Sequence, residues 1–259
     1  MNYRQVISAA VEAGESILKI YNQDFTYYEK SDSSPLTEAD QAAHNIIVSS
    51  LTKIAPNTPI LSEEDAAIDW NERRHWNDYW LIDPLDGTKE FINKNGEFTV
   101  NIAHIRNGEP VWGVVYVPTT GIIYTGGPEL GSAVKINADK SKLTLKVTPV
   151  KAINTNWTIV GSRSHQSKEF NAFTGKFSSP HIKTIGSSLK ICMVAEGTAD
   201  IYPRLGLTSE WDTAAAHAVL LGAGGIIIDA EHKSPLKYNQ KESTLNPFFI
   251  AANGISAIW

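Results

Sequence analysis

The sequence predicts an α/β protein in which helices and strands form packed layers. Two long stretches, residues 3–21 and 38–54, carry apolar side chains at helical spacing. Several short apolar runs in the first half are bounded by Gly, Pro, Asn or Asp, which is typical of strands. In the second half short strand patterns and helical patterns alternate, and this alternation favours a layered α/β architecture.

The first half is expected to begin with the two helices and continue as a run of strands. Pro56 and Pro59 end the second helix. Asn107-Gly108 predicts a hairpin between two of the strands. A short helix is expected over 89–92. The strands are predicted at 59–62, 79–83, 99–106, 111–117 and 122–125.

The second half is expected to start after the polar stretch 137–155, which contains a candidate strand at 143–147. This stretch suggests two tightly packed units, 1–150 and 151–259, which can also be counted as one domain. Strands are predicted at 157–160, 182–185, 199–202, 226–229 and 248–251, and helices at 169–177, 187–196 and 211–221.

Composition excludes several classes of protein. The 259 residues include 23 Lys and Arg against 28 Asp and Glu, a net charge of −5, which argues against a protein that coats a nucleic-acid polymer. The only cysteine, Cys192, cannot form an internal disulfide. The N-terminus lacks the apolar block of a signal peptide, and no apolar stretch is long enough to span a membrane. We therefore expect a cytoplasmic protein, and peripheral attachment at the inner face of the membrane stays open.

The motif Asp-Pro-Leu-Asp-Gly-Thr at residues 83–88 follows a predicted apolar strand. The strand should stop at Asp83 because Pro84 cannot continue it, and Gly87 permits a turn that folds Asp86 back. Paired carboxylates suit hard cations such as Mg²⁺, although an Asx-turn at a strand exit explains the same residues.

Further acidic residues lie at the ends of other predicted elements. Glu63 follows a short strand, and Asp212 lies where a helix should begin. The alternatives are a solvated loop for Glu63 and a helix cap for Asp212. Taken together, these sites suggest two divalent ions that share Asp83 and are held by Glu63, Asp86 and Asp212.

Gly87 and Thr88 precede the predicted short helix and could seat a phosphate group. Metal carboxylates beside such a seat suggest metal-assisted hydrolysis of a phosphate ester. Asp40 could orient the attacking water through Thr88, although Asp40 also fits a capping box at the start of its helix. Nucleotide-binding glycine loops and the Gly-x-Ser-x-Gly motif are absent. The two acids are three residues apart, which disfavours an aspartyl-phosphate phosphatase.

These residues resemble the magnesium-dependent, lithium-sensitive inositol monophosphatase-like phosphatases. The resemblance is carried by Glu63-Glu64, by the motif at 83–88 and by Trp-Asp-Thr-Ala-Ala at 211–215, in order along nearly the whole chain. Segments 161–165, 186–190 and 195–204 resemble the branch of 3'(2'),5'-bisphosphate nucleotidases. Leu207 departs from this branch, where a proline is expected. The resemblance implies the family fold, an alternating αβαβα sandwich.

The resemblance also implies roles by position. Glu63, Asp83 and the Leu85 carbonyl would form one Mg²⁺ site, and Asp83, Asp86 and Asp212 a second. Gly87 and Thr88 would seat the scissile phosphate together with Asp86 and Asp212, while Asp40, Thr88 and Glu63 would act on the water. The positions that would hold the nucleotide and its second phosphate are His165, Ser187, Lys190 and Arg204.

The expected reaction is Mg²⁺-dependent release of the 3'-phosphate from adenosine 3',5'-bisphosphate, giving AMP, in sulfate assimilation. The sulfated precursor, 3'-phosphoadenosine 5'-phosphosulfate, is a further expected substrate. An inositol or other sugar phosphatase is the alternative enzyme, and a silent nucleotide- or metal-binding sensor is the alternative outside enzymes. The partner is a small molecule, and the protein is expected to be a monomer or homodimer.

Overall fold

The computed structural model describes residues 1–23, 27–29, 35–152, 155–162 and 167–256. Its largest sheet has seven strands in the order β3-β4-β5-β6-β7-β8-β9. β3 is parallel to β4, and the following neighbours are antiparallel. The strands are β3 (Ile60–Ser62), β4 (Asp78–Asp86), β5 (Thr99–Arg106), β6 (Glu109–Val117), β7 (Ile122–Gly127), β8 (Ser132–Ile136) and β9 (Lys142–Thr144).

A second sheet has five strands in the order β11-β10-β12-β14-β13. β10 is parallel to both its neighbours, whereas β14 is antiparallel to β12 and β13. A third, antiparallel pair joins β1 (Tyr27–Glu29) and β2 (Pro35–Thr37). The strands of the second sheet are β10 (Thr158–Ser162), β11 (His181–Ile185), β12 (Ile201–Arg204), β13 (Ile226–Asp229) and β14 (Phe249–Ala252).

Helices cover both sheets. The two long helices pack against one face of the seven-stranded sheet, where Ile17 and Ile47 belong to the same buried cluster as Trp80 and Ile82 of β4. Among the described residues, no helix has both the length and the apolar character needed to cross a membrane. The helices are α1 (Tyr3–Tyr21), α2 (Glu38–Ile54), α3 (Trp70–Arg73), α4 (Thr88–Ile92), α5 (Lys168–Thr174), α6 (Leu189–Ala195) and α7 (Ala214–Gly222).

The layers alternate because side chains along each strand point to opposite faces. On β4, Leu81 faces away from α1 and α2 and packs with Ile191 of α6 and Val219 of α7. The same cluster includes Phe249 of the five-stranded sheet, so α6 and α7 lie between the two sheets. On the outer face of that sheet, Phe170 of α5 packs in a separate cluster. The order is therefore α, β, α, β, α, and the predicted α/β class and sandwich are confirmed.

Several element predictions need correction. The strand expected to stop at Asp83 continues to Asp86, because the missing N–H of Pro84 falls where the pairing with β5 is irregular. The helix expected from residue 211 begins at Ala214, after a turn. The strand expected over 143–147 covers only Lys142–Thr144, and β8 was not predicted.

The division into units 1–150 and 151–259 stays a prediction. The two large sheets lie on either side of it in the sequence. However, α7 comes from the second half and packs on β5, β6 and β7 of the first. Residues that follow the division therefore help to cover the first sheet.

Candidate active site

Three carboxylates from distant parts of the chain meet at one end of the seven-stranded sheet. β3 and β4 are parallel neighbours, so Glu63, directly after β3, lies beside Asp83 of β4. Asp212 comes from the turn that precedes α7. One carboxylate oxygen from each residue lies within 4.8 Å of the others. A cluster of oxygen ligands with this composition could hold a metal ion.

Asp83 is the buried centre of this cluster, with 1% of its surface exposed. Its Oδ1 accepts a hydrogen bond from the backbone N–H of Leu85 at 3.1 Å. Its Oδ2 is buried and has no hydrogen-bond partner among the described residues. Burial raises the pKa of Asp83 well above its ordinary range, and the charges of Glu63, Asp86 and Asp212 add to the effect.

The unpartnered Oδ2 of Asp83 indicates whether the cluster suits a cation. An unpartnered buried carboxylate oxygen is costly in a metal-free protein, and so are negative charges crowded together. A divalent ion would satisfy the oxygen and offset the charges. The residues present therefore fit a hard divalent cation held by oxygen ligands.

Asp86 lies beside the triplet on the same face of the sheet, and the irregularity in β4 explains this position. Asp83 pairs with Asn101 and Asp86 pairs with Thr99, so β4 has one more residue than β5 over this interval. In a regular strand, residues three apart point to opposite faces, whereas one extra residue returns both aspartates to one face. Burial raises the pKa of Asp86 to about 6, and Lys190 partly opposes the shift.

Asp212 is held in its turn by the backbone N–H of Ser209, which donates to Oδ2 at 2.8 Å. The residue next to α7 is Thr213, and Asp212 does not cap the helix. Burial raises the pKa of Asp212 to about 8, with further contributions from Asp86 and Glu63. The Asp212 carboxylate is thus held by the preceding turn, and it does not act as the cap of α7.

Thr88 and Asp40, separated by 48 residues, are brought together as the sequence suggested. The Thr88 hydroxyl lies 3.4 Å from Asp40 Oδ1 and 3.4 Å from the carbonyl oxygen of Leu85. Asp40 is buried in the first turn of α2. Gly87 adopts a left-handed conformation with φ of 95°, and a Cβ there would lie 3.1 Å from the carbonyl oxygen of Glu97. A glycine is therefore needed at the turn that presents Thr88.

A pocket opens beside the carboxylates and is lined by three cationic side chains, Lys89, Lys190 and Arg204. Lys190 Nζ donates to the carbonyls of Ser187 at 2.6 Å and Ile185 at 3.3 Å. Burial lowers the pKa of Lys190 to about 8, although Asp86 opposes the shift. Arg204 donates to the carbonyl of Leu207, and its Nε is buried without a partner among the described residues. The pocket thus offers positive charge within reach of the carboxylates.

A second, more apolar pocket adjoins the first and shares Ser162, Tyr202 and Arg204 with it. Phe170 and Leu207 contribute to its wall. The candidate residue His165 lies outside the described residues. Together the two pockets form a charged compartment followed by an apolar one.

The polar residues that lie behind Asp86 were not predicted from the sequence. Thr99, Asn101 and Ser188 are buried and lie within hydrogen-bonding distance of it. A signal was present, because Asn101 is a polar residue between the apolar residues Val100 and Ile102 of β5. Such residues are placed at interior positions when they have a partner to satisfy.

Comparisons with known proteins identify the family to which this layered fold belongs. Residues 2–257 match the model of the Inositol monophosphatase family, and the chain belongs to this family. The predicted enzyme class, a phosphatase, is confirmed with it.

The names of individual relatives indicate a narrower class than the family does. The chain is 45% identical over 247 residues to the 3'(2'),5'-bisphosphate nucleotidase CysQ of Shigella flexneri, covering 95% of this chain and 97% of the relative. The CysQ of Escherichia coli K12 is 44% identical over the same shares. The crystal structure of CysQ from Bacteroides thetaiotaomicron superimposes with a TM-score of 0.84 at 41% identity, covering 97% of each chain. The resemblance to the nucleotidase branch is thereby confirmed.

Proposed function

We propose that this protein hydrolyses the 3'-phosphate of adenosine 3',5'-bisphosphate to give AMP and phosphate, using Mg²⁺. The observation that carries the proposal is the buried carboxylate cluster, with its unpartnered Asp83 Oδ2, beside a pocket containing Lys190 and Arg204. The names of the CysQ relatives support the same substrate. The sulfated precursor carries the same 3'-phosphate and is a second expected substrate.

Two or more Mg²⁺ ions would be held by Glu63, Asp83, the Leu85 carbonyl, Asp86 and Asp212. Bound ions of this kind lower the pKa of a water molecule and stabilise the charge that develops on the departing oxygen. The remaining chemistry falls to the protein's own side chains. The Leu85 carbonyl oxygen lies 3.4 Å from the Thr88 hydroxyl, so it is directed at the site.

Thr88 and Asp40 would orient the attacking water. Asp40 Oδ1 accepts a hydrogen bond from the Thr88 hydroxyl, so the lone pairs of Thr88 Oγ1 can accept a hydrogen bond from water. The backbone at Gly87 and Thr88 would seat the scissile phosphate at the start of α4. Glu63, a member of the carboxylate cluster, would align the same water.

The phosphate that is not cleaved would bind in the cationic pocket. A lysine ammonium group has three donors, and two Lys190 hydrogen bonds go to backbone carbonyls. The third donor, together with Ser187 and the Arg204 guanidinium, would bind phosphate oxygens. The adenine would occupy the adjoining apolar pocket, and His165 stays a candidate for the same nucleotide. An inositol phosphate has no group for either compartment.

The test compares kcat/KM for adenosine 3',5'-bisphosphate and inositol 1-phosphate in excess Mg²⁺. We expect a preference for the nucleotide of about 100-fold or more, because each charge-assisted hydrogen bond contributes ~1.5–3 kcal/mol. A Lys190→Met variant should lose much of this preference through a higher KM for the nucleotide. Equal or better turnover of inositol 1-phosphate would move the protein to the inositol phosphatases. Undiminished turnover after chelation of divalent ions would contradict the metal-dependent reaction.

A further inference from the structure

A buried polar network surrounds one oxygen of Asp86. The backbone N–H of Ser188 donates to Oδ2 at 2.5 Å, and Asn101 Nδ2 donates to the same oxygen at 3.4 Å. The Thr99 hydroxyl lies 3.5 Å from it. All of these hydrogen bonds converge on Oδ2, and none of them uses Oδ1.

The members of this network also hold one another. The Ser188 hydroxyl donates to Asn101 Oδ1 at 2.9 Å and lies 3.0 Å from the Thr99 hydroxyl. Thr99 is completely buried, and Asn101 and Ser188 are 1% and 4% exposed. Asn101 therefore uses both ends of its amide, with the NH₂ group towards Asp86 and the oxygen towards Ser188. A buried amide fixed at both ends has one orientation.

The network connects the seven-stranded sheet with the turn that precedes α6. Asn101 and Thr99 belong to β5 of the seven-stranded sheet, whereas Ser188 precedes α6 in the second half of the chain. Its neighbour Ser187 has a positive φ of 50° and supplies the carbonyl that Lys190 Nζ contacts. The turn that shapes the cationic pocket is thus also the turn that holds Asp86.

We propose that Asn101, together with Ser188, is a positioning residue that fixes Asp86 Oδ2 and leaves Oδ1 to bind the catalytic cation. This inference rests on the proposed metal-dependent function. Partners that orient a ligating carboxylate from behind are energetically important, and their loss typically weakens metal binding by about 10–100-fold. Asn101 does not line the substrate pocket. It pairs with Asp83 along β4 and β5, whereas its side chain donates to Asp86, so loss of the side chain would act through Asp86.

The experiment measures Mn²⁺ binding without substrate, from the electron paramagnetic resonance signal of free Mn²⁺. Asn101→Ala and Ser188→Ala are each expected to raise the Mn²⁺ Kd by about 10–100-fold. The double variant should bind little worse than Asn101→Ala, because the two side chains act through one network. Asn253→Ala is the matched control. It removes a buried amide that bonds Thr148 and Pro149, away from the carboxylate cluster, and should bind Mn²⁺ like the wild type.

Circular dichroism melts of all variants separate loss of binding from loss of folding. If Asn101→Ala does not fold, the smaller change Ser188→Ala decides the question. A Mn²⁺ Kd within twofold of wild type in folded Ser188→Ala and Asn101→Ala would overturn the positioning role. Absence of Mn²⁺ binding in the wild type would instead contradict the proposed metal-dependent function.

Discussion

At the scale of single residues, Asp83 opposes folding in the metal-free protein. Its carboxyl group is buried, faces three other carboxylates and has one oxygen without a described partner. Each of these features costs free energy in the folded state and none exists in the unfolded chain. Proteins keep destabilising groups of this kind where their activity requires them. For Asp83, the arrangement that would serve activity lowers the stability of the fold.

Replacing Asp83 with asparagine should therefore stabilise the metal-free protein while removing activity. We expect a gain of about 1–2 kcal/mol, which in a chain of this size raises Tm by about 2–8 °C. Phosphate release in Mg²⁺ should fall to background. Melts in a chelator and a phosphate assay check the two results. Asp139→Asn, at an exposed carboxylate that accepts hydrogen bonds from Ser141, should leave phosphate release unchanged and should not raise Tm. An unchanged or lower Tm for Asp83→Asn would show that this carboxyl is not a source of instability.

Local patterns allowed the carboxylates to be selected from the sequence. Asp83, Glu63 and Asp212 follow recognisable signals at the ends of elements, and the structure brings an oxygen from each within 4.8 Å. Their role as metal ligands stays a prediction. The partners of Asp86 were not found, because the contact between Asn101 and Ser188 joins residues 87 positions apart. No periodicity in the sequence encodes that distance.

At the scale of elements, the position of Asp212 depends on how closely α7 approaches β6. A Cβ added to Gly113 of β6 would lie 2.3 Å from the carbonyl oxygen of Ala215, in the first turn of α7. Backbone atoms cannot move aside as a flexible side chain would. The glycine thus allows the contact that places the turn with Asp212 against the sheet, three residues before Ala215.

Gly113→Ala should push α7 away from the sheet. We expect a loss of stability of about 1–3 kcal/mol from overpacking, together with weaker Mn²⁺ binding as Asp212 shifts. Urea unfolding and a Mn²⁺ titration measure the two effects. Gly206→Ala is the control for stability, because nothing lies within 4 Å of the added Cβ. Wild-type stability in Gly113→Ala would mean that α7 can move away from the sheet without a loss in the free energy of unfolding.

The ends of helices and strands were predictable where neighbouring residues in the sequence mark them. Asn107 and Gly108 both have positive φ, as a two-residue hairpin turn of the predicted kind requires. The predicted end of β4 at residue 83 is wrong, because Pro84 does not stop the strand. Pro84 lacks only one N–H group, and the register shift with β5 removes the need for it. That shift depends on a neighbouring strand, so residues 83–88 do not reveal it.

At the scale of the whole molecule, the acidic groups are distributed unevenly. The chain has a net charge of −5, and four carboxylates, Glu63, Asp83, Asp86 and Asp212, interact electrostatically at one site between the two halves.

The alternation of helix and strand patterns in the sequence predicted the layers of the fold. It did not predict the strand order of the second sheet, in which β14 lies between β12 and β13. Strand order arises from packing between distant segments, whereas the patterns report only which face of each element is apolar.

The crowded carboxylates make the stability of the metal-free protein depend on pH in a defined direction. Burial raises the pKa of Asp86 to about 6 and that of Asp212 to about 8, while the unfolded chain titrates near the ordinary value of about 4. The folded state therefore holds more protons than the unfolded state in this range. The contribution of these groups to stability is greatest below about pH 4 and is lost as the pH rises to about 8.

Because Mg²⁺ binds the deprotonated carboxylates, its stabilising effect should increase over the same range. We expect the difference in Tm between the Mg²⁺-loaded and the chelator-treated protein to widen from pH 5 to pH 8. Each proton that the ion displaces adds about 1.36 kcal/mol per pH unit. The difference in Tm between the two samples at one pH excludes groups whose pKa is the same with and without Mg²⁺. Asp212→Asn should flatten the dependence by removing one of the displaced protons. A gap that stays constant or narrows with pH would mean that the ion does not compete with protons at this cluster.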